Sequence, residues 1–82
     1  MTQETAFTPD TLIRLIARSP RLTAFERAHE DDADRIAVRA RGPYGEIWHT
    51  FTFKDGMLDD GPATHDRARR LLDGLISRVA DA

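Results

Sequence analysis

The sequence predicts a single α+β domain, in which helices cover one face of a three-stranded antiparallel sheet in the order α-α-β-β-β-α. Two apolar stripes with helical spacing lie near the ends of the chain, the first starting at Leu12 and the second at Ala68. Between them, residues 35–53 alternate apolar and polar side chains, as strands do when one face is covered. The 82 residues are too few for two independent cores, so we expect one domain over 1–82, with 1–7 as a flexible N-terminus.

Composition narrows the class of protein. The chain is 40% apolar and 32% charged, which is ordinary for a soluble domain, and its net charge of -2 favours neither nucleic acid nor an anionic membrane. No apolar run approaches the roughly 18 residues of a membrane helix, and the first residues do not resemble a signal peptide. Without cysteine, disulfides and thiolate ligands are excluded. We expect a cytoplasmic protein of bacterial type that uses no cofactor.

The first helix has a complete start signal. Thr8 can cap it, Pro9 suits the first helical position, and Asp10 complements the positive end of the helix dipole. Phe7 and Leu12 are spaced as a hydrophobic staple. The apolar stripe consists of Leu12, Leu15 and Ile16.

The dipeptide Ser19-Pro20 predicts a break and then a second helix. A residue before proline avoids the helical region, while serine followed by proline suits the start of a helix. Leu22 and Phe25 continue this second helix to about His29. The following acidic stretch, residues 29–34, lacks the glycine and final glutamate of a calcium loop, so we interpret it as a solvated linker and predict no metal site.

Residues 35–53 predict a hairpin that turns at Pro43-Tyr44. This turn pairs Arg41 with Glu46, Arg39 with Trp48, Val38 with His49 and Ile36 with Phe51. A type I turn with a bulge at Gly45 would shift the register by one residue and expel two phenylalanines from the apolar face. Burial of each is worth about 1.5–3 kcal/mol, so the first register is favoured.

The rest of the chain predicts a short third strand and a final helix. Asp55-Gly56 is typical of a two-residue hairpin turn, which pairs Lys54 with Met57 and Phe53 with Leu58. Gly61-Pro62 should end the strand, and a helix should run from about Thr64. Glycine inside a helix costs about 1 kcal/mol relative to alanine, so Gly74 predicts a close approach of this helix to the sheet or to another helix. The helical stripe consists of Ala68, Leu71, Leu72, Leu75, Ile76 and Val79.

Several short motifs resemble the first half of the sterol-carrier-protein-2-like family. They are the opening Phe7-Thr8-Pro9, the glycine-broken hairpin at 42–45, Trp48 in the second strand, and the turn Asp55-Gly56. The resemblance covers about residues 7–56 and implies a non-enzymatic module that binds a lipid or another apolar ligand. The family has a five-stranded sheet that closes over an apolar tunnel, whereas three predicted strands would form a complete tunnel only if a dimer rebuilt it.

His49 lies on the apolar face of its strand and has two interpretations. It is either a histidine bonded at the sheet margin for stability, or the polar group of an otherwise apolar pocket. No catalytic residues are predicted, because no nucleophile motif or pair of histidines at metal spacing is present. The candidate ligand pocket consists of His49, Phe51, Phe53, Phe25 and Leu75.

The opposite sheet face is the second candidate site. Its members are Arg39, Arg41 and Trp48, with Tyr44 in the adjoining turn. Tryptophan, tyrosine and arginine are frequent anchors of protein interfaces, so a protein contact or a homodimer is one hypothesis. Basic groups around an aromatic side chain also occur on single-strand nucleic-acid platforms, but the balanced net charge makes that hypothesis weaker. A solvated face, with Arg39 stacked on Trp48, is the third interpretation.

Overall fold

The structure, a computed structural model, describes residues 7–80 and is an α+β fold with five antiparallel strands. The sheet order β1-β2-β3-β4-β5 follows the chain. The α+β class is confirmed, whereas the predicted three-stranded sheet is wrong. The expected flexible N-terminus, apart from a buried Phe7, lies outside the described residues. The elements are α1 (Pro9–Ala17), β1 (Leu22–Glu30), β2 (Ala33–Gly42), β3 (Gly45–Lys54), β4 (Met57–Leu58), β5 (Gly61–Pro62) and α2 (His65–Ala80).

Helix α1 begins as predicted. The Thr8 hydroxyl accepts a hydrogen bond from the Thr11 amide, the Thr11 hydroxyl accepts one from the Thr8 amide, and Pro9 occupies the first turn. Leu12 and Ile16 are buried on the sheet. Of the described helices, none is long and apolar enough to cross a membrane.

The predicted second helix is wrong, because residues 22–30 form strand β1. Asp31 and Asp32 both have positive φ, at 54° and 60°, and so make the two-residue turn that joins β1 to β2. Aspartate tolerates this left-handed region better than most residues. As a strand, the segment pairs with β2 from Leu22 to Glu30 and buries Leu22 on the covered face of the sheet.

The predicted acidic linker is therefore mostly strand. His29 contacts Asp34 across the hairpin with Nδ1 3.1 Å from Oδ1, and Arg35 lies 3.5 Å from Glu30. Only Asp31-Asp32 is a turn. Within residues 7–80, no three potential metal-ligating side chains come together. The acidic residues thus have local partners or define the turn.

The register of β2 and β3 is the one predicted, from Arg41 opposite Glu46 to Ile36 opposite Phe51. The apolar sets of both strands share one face and are covered by the helices. Ile47 and the helix residues Leu15, Leu71 and Ile76 are half-buried around this core. The buried core consists of Phe7, Leu12, Ile16, Leu22, Ile36, Val38, Ala40, Phe51, Phe53, Leu58, Ala68, Leu72, Leu75 and Val79.

Strand β4 also pairs as predicted, but Gly61-Pro62 does not end the sheet. These two residues form β5, opposite Leu58 and Met57. Proline is tolerated there because β5 is the last strand and needs no amide for a further partner. Arg67 of α2 donates a hydrogen bond to the Leu58 carbonyl and holds this corner to the helix.

Helix α2 runs beside β3 in the opposite direction. Its N-terminal end contacts β4 through Arg67, and its C-terminal end reaches the β2–β3 turn, where the Tyr44 amide donates to the Val79 carbonyl. The close approach predicted at Gly74 is wrong, since a Cβ there would meet no atom within 4 Å. The close approach occurs at Gly42, whose added Cβ would lie 2.5 Å from the Val79 oxygen.

Candidate functional site

No element within residues 7–80 covers the sheet face opposite the helices, and this face carries three side chains in contact. The Phe25 and Trp48 rings lie 4.8 Å apart, centroid to centroid, and are 48% and 55% exposed. The Arg39 guanidinium carbon lies 4.7 Å from the Phe25 ring centroid. We call Phe25, Arg39 and Trp48 the open-face cluster. Exposed apolar side chains that are contiguous, as these two rings are, are a feature of interaction surfaces.

A β-bulge creates this cluster. The pairing of β1 with β2 slips between Ala24 and Glu26, so that Phe25 is the extra residue of the ladder. The prediction that Phe25 belongs to the core and to the ligand pocket is wrong, because that placement assumed a helix. Its ring instead lies over Arg39 and against Trp48, where sequence analysis had expected Arg39 to stack on Trp48 directly.

The charges of the open face are largely balanced within the face. Arg39 lies 3.7 Å from Glu46, and Arg35 is paired with Glu30. The Arg39 Nε is shielded from solvent and has no hydrogen-bond partner within residues 7–80. Pairing lowers the positive charge available to a phosphate backbone, whereas the exposed rings of Phe25 and Trp48 form an apolar surface beside it.

Of the other predicted interface residues, Arg41 lies beside the cluster and Tyr44 does not. Arg41 is exposed opposite Glu46, two residue pairs along from Arg39 and Trp48. Tyr44 is 66% exposed in the turn, which is bonded to the C-terminal end of α2 rather than turned toward the cluster.

The second candidate site is a groove of about 270 Å³ between α2 and β3. Phe51, Leu71 and Leu75 give it an apolar floor, while Arg70 and Arg78 flank it. We call it the α2–β3 groove. Its complete lining is His49, Phe51, Arg70, Leu71, Gly74, Leu75 and Arg78. The groove is an open furrow with a cationic rim, not an enclosed tunnel.

His49 is held at the end of this groove by Asp59. Its Nε2 lies 2.9 Å from Asp59 Oδ2, and its ring meets the edge of Phe51 at 4.5 Å. The other Asp59 oxygen accepts from the Thr52 amide at 3.0 Å, and the Asp59 amide donates to the Thr52 carbonyl. Asp59 thus bonds both the edge of β3 and the imidazole, which supports the structural interpretation of His49.

The structure brings together three of the five predicted pocket residues: His49, Phe51 and Leu75. Phe53 is buried and stacked on Phe7 at 6.0 Å, away from the groove, and Phe25 is on the other face. Sequence reasoning missed the cationic rim. The spacing of Arg70, Gly74 and Arg78 at i, i+4 and i+8 placed them on one edge of the helix and was the available signal.

A further hollow of about 380 Å³ separates the two helices near Leu22. Its walls carry cations and an acid, Arg18, Arg69 and Asp73, without an arrangement that indicates one ligand.

Comparisons with family models, with curated proteins and with solved structures find no match to this chain. Function is therefore inferred from the open-face cluster and the α2–β3 groove.

Proposed function

We propose that the protein is a non-enzymatic interaction module that forms a homodimer through the open face of its sheet. The observation that carries the proposal is the open-face cluster, in which two half-exposed aromatic rings pack on each other and Arg39 lies against the Phe25 ring. Aromatic and arginine side chains of this kind are the commonest energetic anchors of protein interfaces.

A second copy suits this face because the face carries both charge signs. Its cations are Arg35, Arg39, Arg41 and Lys54, and its anions are Glu26, Glu30 and Glu46. Two such faces related by a two-fold axis can place cations against anions, which a uniformly basic face cannot do. The same pairing argues against nucleic acid as the main partner.

The size of the face sets the expected affinity. Strands β1, β2 and β3 span about 30 Å by about 15 Å, or roughly 450 Å² per copy. This area is at the low end for specific interfaces, where contacts are weak or transient. We therefore expect a dissociation constant in the micromolar range.

A carrier of apolar ligands, which the family resemblance implies, has less support. Pockets that enclose small molecules usually measure about 300–1,000 Å³ and bury most of the ligand. The hollow between the helices is about 380 Å³, but its walls carry Arg18, Arg69 and Asp73. The α2–β3 groove is about 270 Å³ and open along its length. A long acyl chain would remain largely in water there.

Sedimentation velocity over protein concentrations from about 1 to 200 μM tests the dimer, because this range brackets the expected micromolar affinity. Trp48 is the single tryptophan, so its emission should also shift to shorter wavelength as the dimer forms. Trp48→Ala should remain monomeric throughout. Its unfolding free energy at the lowest concentration should change by about 1 kcal/mol or less, as is usual for exposed positions.

Tyr44→Ala is the matched control, since Tyr44 is an exposed aromatic residue outside the cluster. It should dimerise like the wild type. A wild-type protein that is monomeric at the highest concentration contradicts the proposal. So does a Trp48→Ala protein that still dimerises, because the contact would then lie elsewhere.

A further inference from the structure

Strand β3 has a free edge over most of its length. Strand β4 pairs only with Phe53 and Lys54, and Asp59 covers Thr52. Along β3, the backbone N–H and C=O groups of successive residues point alternately toward β2 and away from it. Because Thr52 and Lys54 point toward β4, the amides and carbonyls of Glu46, Trp48 and Thr50 point to this edge. No strand within residues 7–80 pairs with them.

Strand β5 is two residues long and contains Pro62, so the long edges of the sheet are those of β1 and β3. Strand β1 has a bulge and a run of charged residues between Glu26 and Glu30. Both features discourage strand pairing. Strand β3 has an unbroken register from Gly45 to Phe53 and contains no proline. The β3 edge is therefore the one open to an added strand.

The α2–β3 groove lies directly beside this edge. Helix α2 runs along β3 and presents Leu71 and Leu75 at the floor and Arg70 and Arg78 at the rim. Gly74 keeps the middle of the groove open, because it has no side chain. A strand added to β3 would thus place every second side chain over the groove.

The two arginines at the rim of the groove, Arg70 and Arg78, favour a negatively charged strand. Arg70 and Arg78 are exposed, and no carboxylate in the described part of the chain forms an ion pair with either. Arg70 and Arg78 are eight residues apart on the helix, a separation of about 12 Å. Two side chains four residues apart on an extended strand are separated by about 13 Å. Acidic side chains four residues apart on an extended peptide would match the two arginines, with an apolar side chain between them over Gly74.

A second copy of this chain fits the edge poorly. Antiparallel pairing of β3 with its own copy would place the two α2 helices on the same side of a continuous sheet. Arg70 and Arg78 would then face the same arginines of the other copy. Like charges opposed in this way are destabilising.

We propose that the β3 edge binds an extended peptide by strand addition, with an acidic residue, an apolar residue and an acidic residue at positions i, i+2 and i+4 over the α2–β3 groove. Backbone hydrogen bonds to Glu46, Trp48 and Thr50 supply affinity, and the groove supplies selectivity. The groove lies on the helix-covered side of the sheet, opposite the open face, and Trp48 contributes its backbone to the peptide site and its side chain to the open-face cluster.

The probe is a fluorescein-labelled, end-capped peptide with the core Glu-Thr-Leu-Thr-Glu, and fluorescence anisotropy measures its binding. The double variant Arg70→Glu/Arg78→Glu should bind at least about tenfold more weakly, as expected when two charge-assisted contacts become repulsive. Arg69→Glu reverses one charge on another side of α2, in the hollow between the helices, and should bind within about twofold of wild type, whereas the single variants Arg70→Glu and Arg78→Glu, which make the same charge change as this control, should each bind more weakly than it does. Equal loss in Arg69→Glu and in the double variant would overturn the proposal.

Backbone methylation separates strand addition from simple charge attraction. In an antiparallel added strand the threonine amides face β3, whereas the glutamate and leucine amides face away. N-methylation of the threonines should abolish binding, and N-methylation of the other set should be tolerated; a parallel strand gives the reverse. If both methylated peptides bind like the parent, no strand is added and the proposal is wrong.

A variant of the protein gives the complementary test. Thr50→Pro removes an amide that points to the free edge and leaves the β2 ladder intact, so it should weaken the peptide at least about tenfold relative to Thr50→Ala. Circular dichroism establishes that both variants are folded. If Thr50→Pro does not fold, the methylated peptides decide the question. If dodecanoate binds in an Arg70- and Arg78-dependent manner while the peptide does not, the groove takes an acyl carboxylate and the proposal is overturned.

Discussion

Replacement of Asp59 should measure how firmly the small strands are held to β3. The carboxylate accepts from the Thr52 amide and contacts the His49 imidazole, while its backbone has a φ of 56°. In Asp59→Ala, the loss of the amide contact should cost about 1.5 kcal/mol and the loss of the half-exposed imidazole contact about 0.5 kcal/mol. Alanine at this φ adds about 1 kcal/mol. We expect a total loss of about 3 kcal/mol.

Urea unfolding followed by Trp48 emission gives this value. For a domain of this size the midpoint should fall by about 2–3 M. Asp59→Asn keeps the tolerance for positive φ and one acceptor oxygen, and should lose only about 1 kcal/mol. Asp59→Gly should be about 1 kcal/mol more stable than Asp59→Ala, because it removes the backbone strain alone. An Ala variant as stable as the wild type would refute the role of the carboxylate, and Gly and Ala variants of equal stability would refute the strain.

Two further predictions concern packing. Phe51→Ala should cost about 3–5 kcal/mol, because Phe51 is fully buried, and a nearly unchanged melting temperature would contradict the assignment of the buried face. Gly42→Ala should lose about 1–3 kcal/mol through contact with the Val79 carbonyl, whereas Gly74→Ala should gain up to about 1 kcal/mol, because its Cβ enters open space; thermal unfolding of the two variants should therefore show opposite shifts.

The β2–β3 hairpin was predictable because two independent signals agree there. The apolar alternation and the two-residue loop at Pro43-Tyr44 specify the same register, and a slip by one residue would expose Phe51. The turn at Asp55-Gly56 was predictable for the same reason, since its chemistry and the flanking residues point to one pairing.

Strand β1 was not predictable from the local sequence pattern, because its residues fit a helix as well as a strand. Ser19-Pro20 is a good helix start, and Leu22 and Phe25 have helical spacing. The deciding interaction is the pairing with β2, which lies outside the segment itself and overrides its weak helical propensity. The turn Asp31-Asp32 was the available local signal, but two aspartates mark a turn less clearly than Asp-Gly does.

The assignment of residues 22–30 to a helix also explains why the predicted sites were incomplete. A helical Phe25 belongs to the core, whereas a bulged Phe25 on β1 belongs beside Trp48. Similarly, the sequence placed His49 on the correct face of the sheet. The position of Arg70 and Arg78 near it depends on how α2 is rotated about its axis over β3. That rotation is set by tertiary packing.

The strand order of the sheet, which repeats the order of the chain, has a consequence for how the protein reaches its fold. Each of the four ladders joins strands that are consecutive in the chain and separated by two residues. Closing such short loops costs little entropy, and topologies built from local pairings fold faster than those that must first join distant segments. Folding can therefore proceed by successive zipping of hairpins. The docking of α2 against the β2–β3 turn is then a late step that joins segments far apart in sequence.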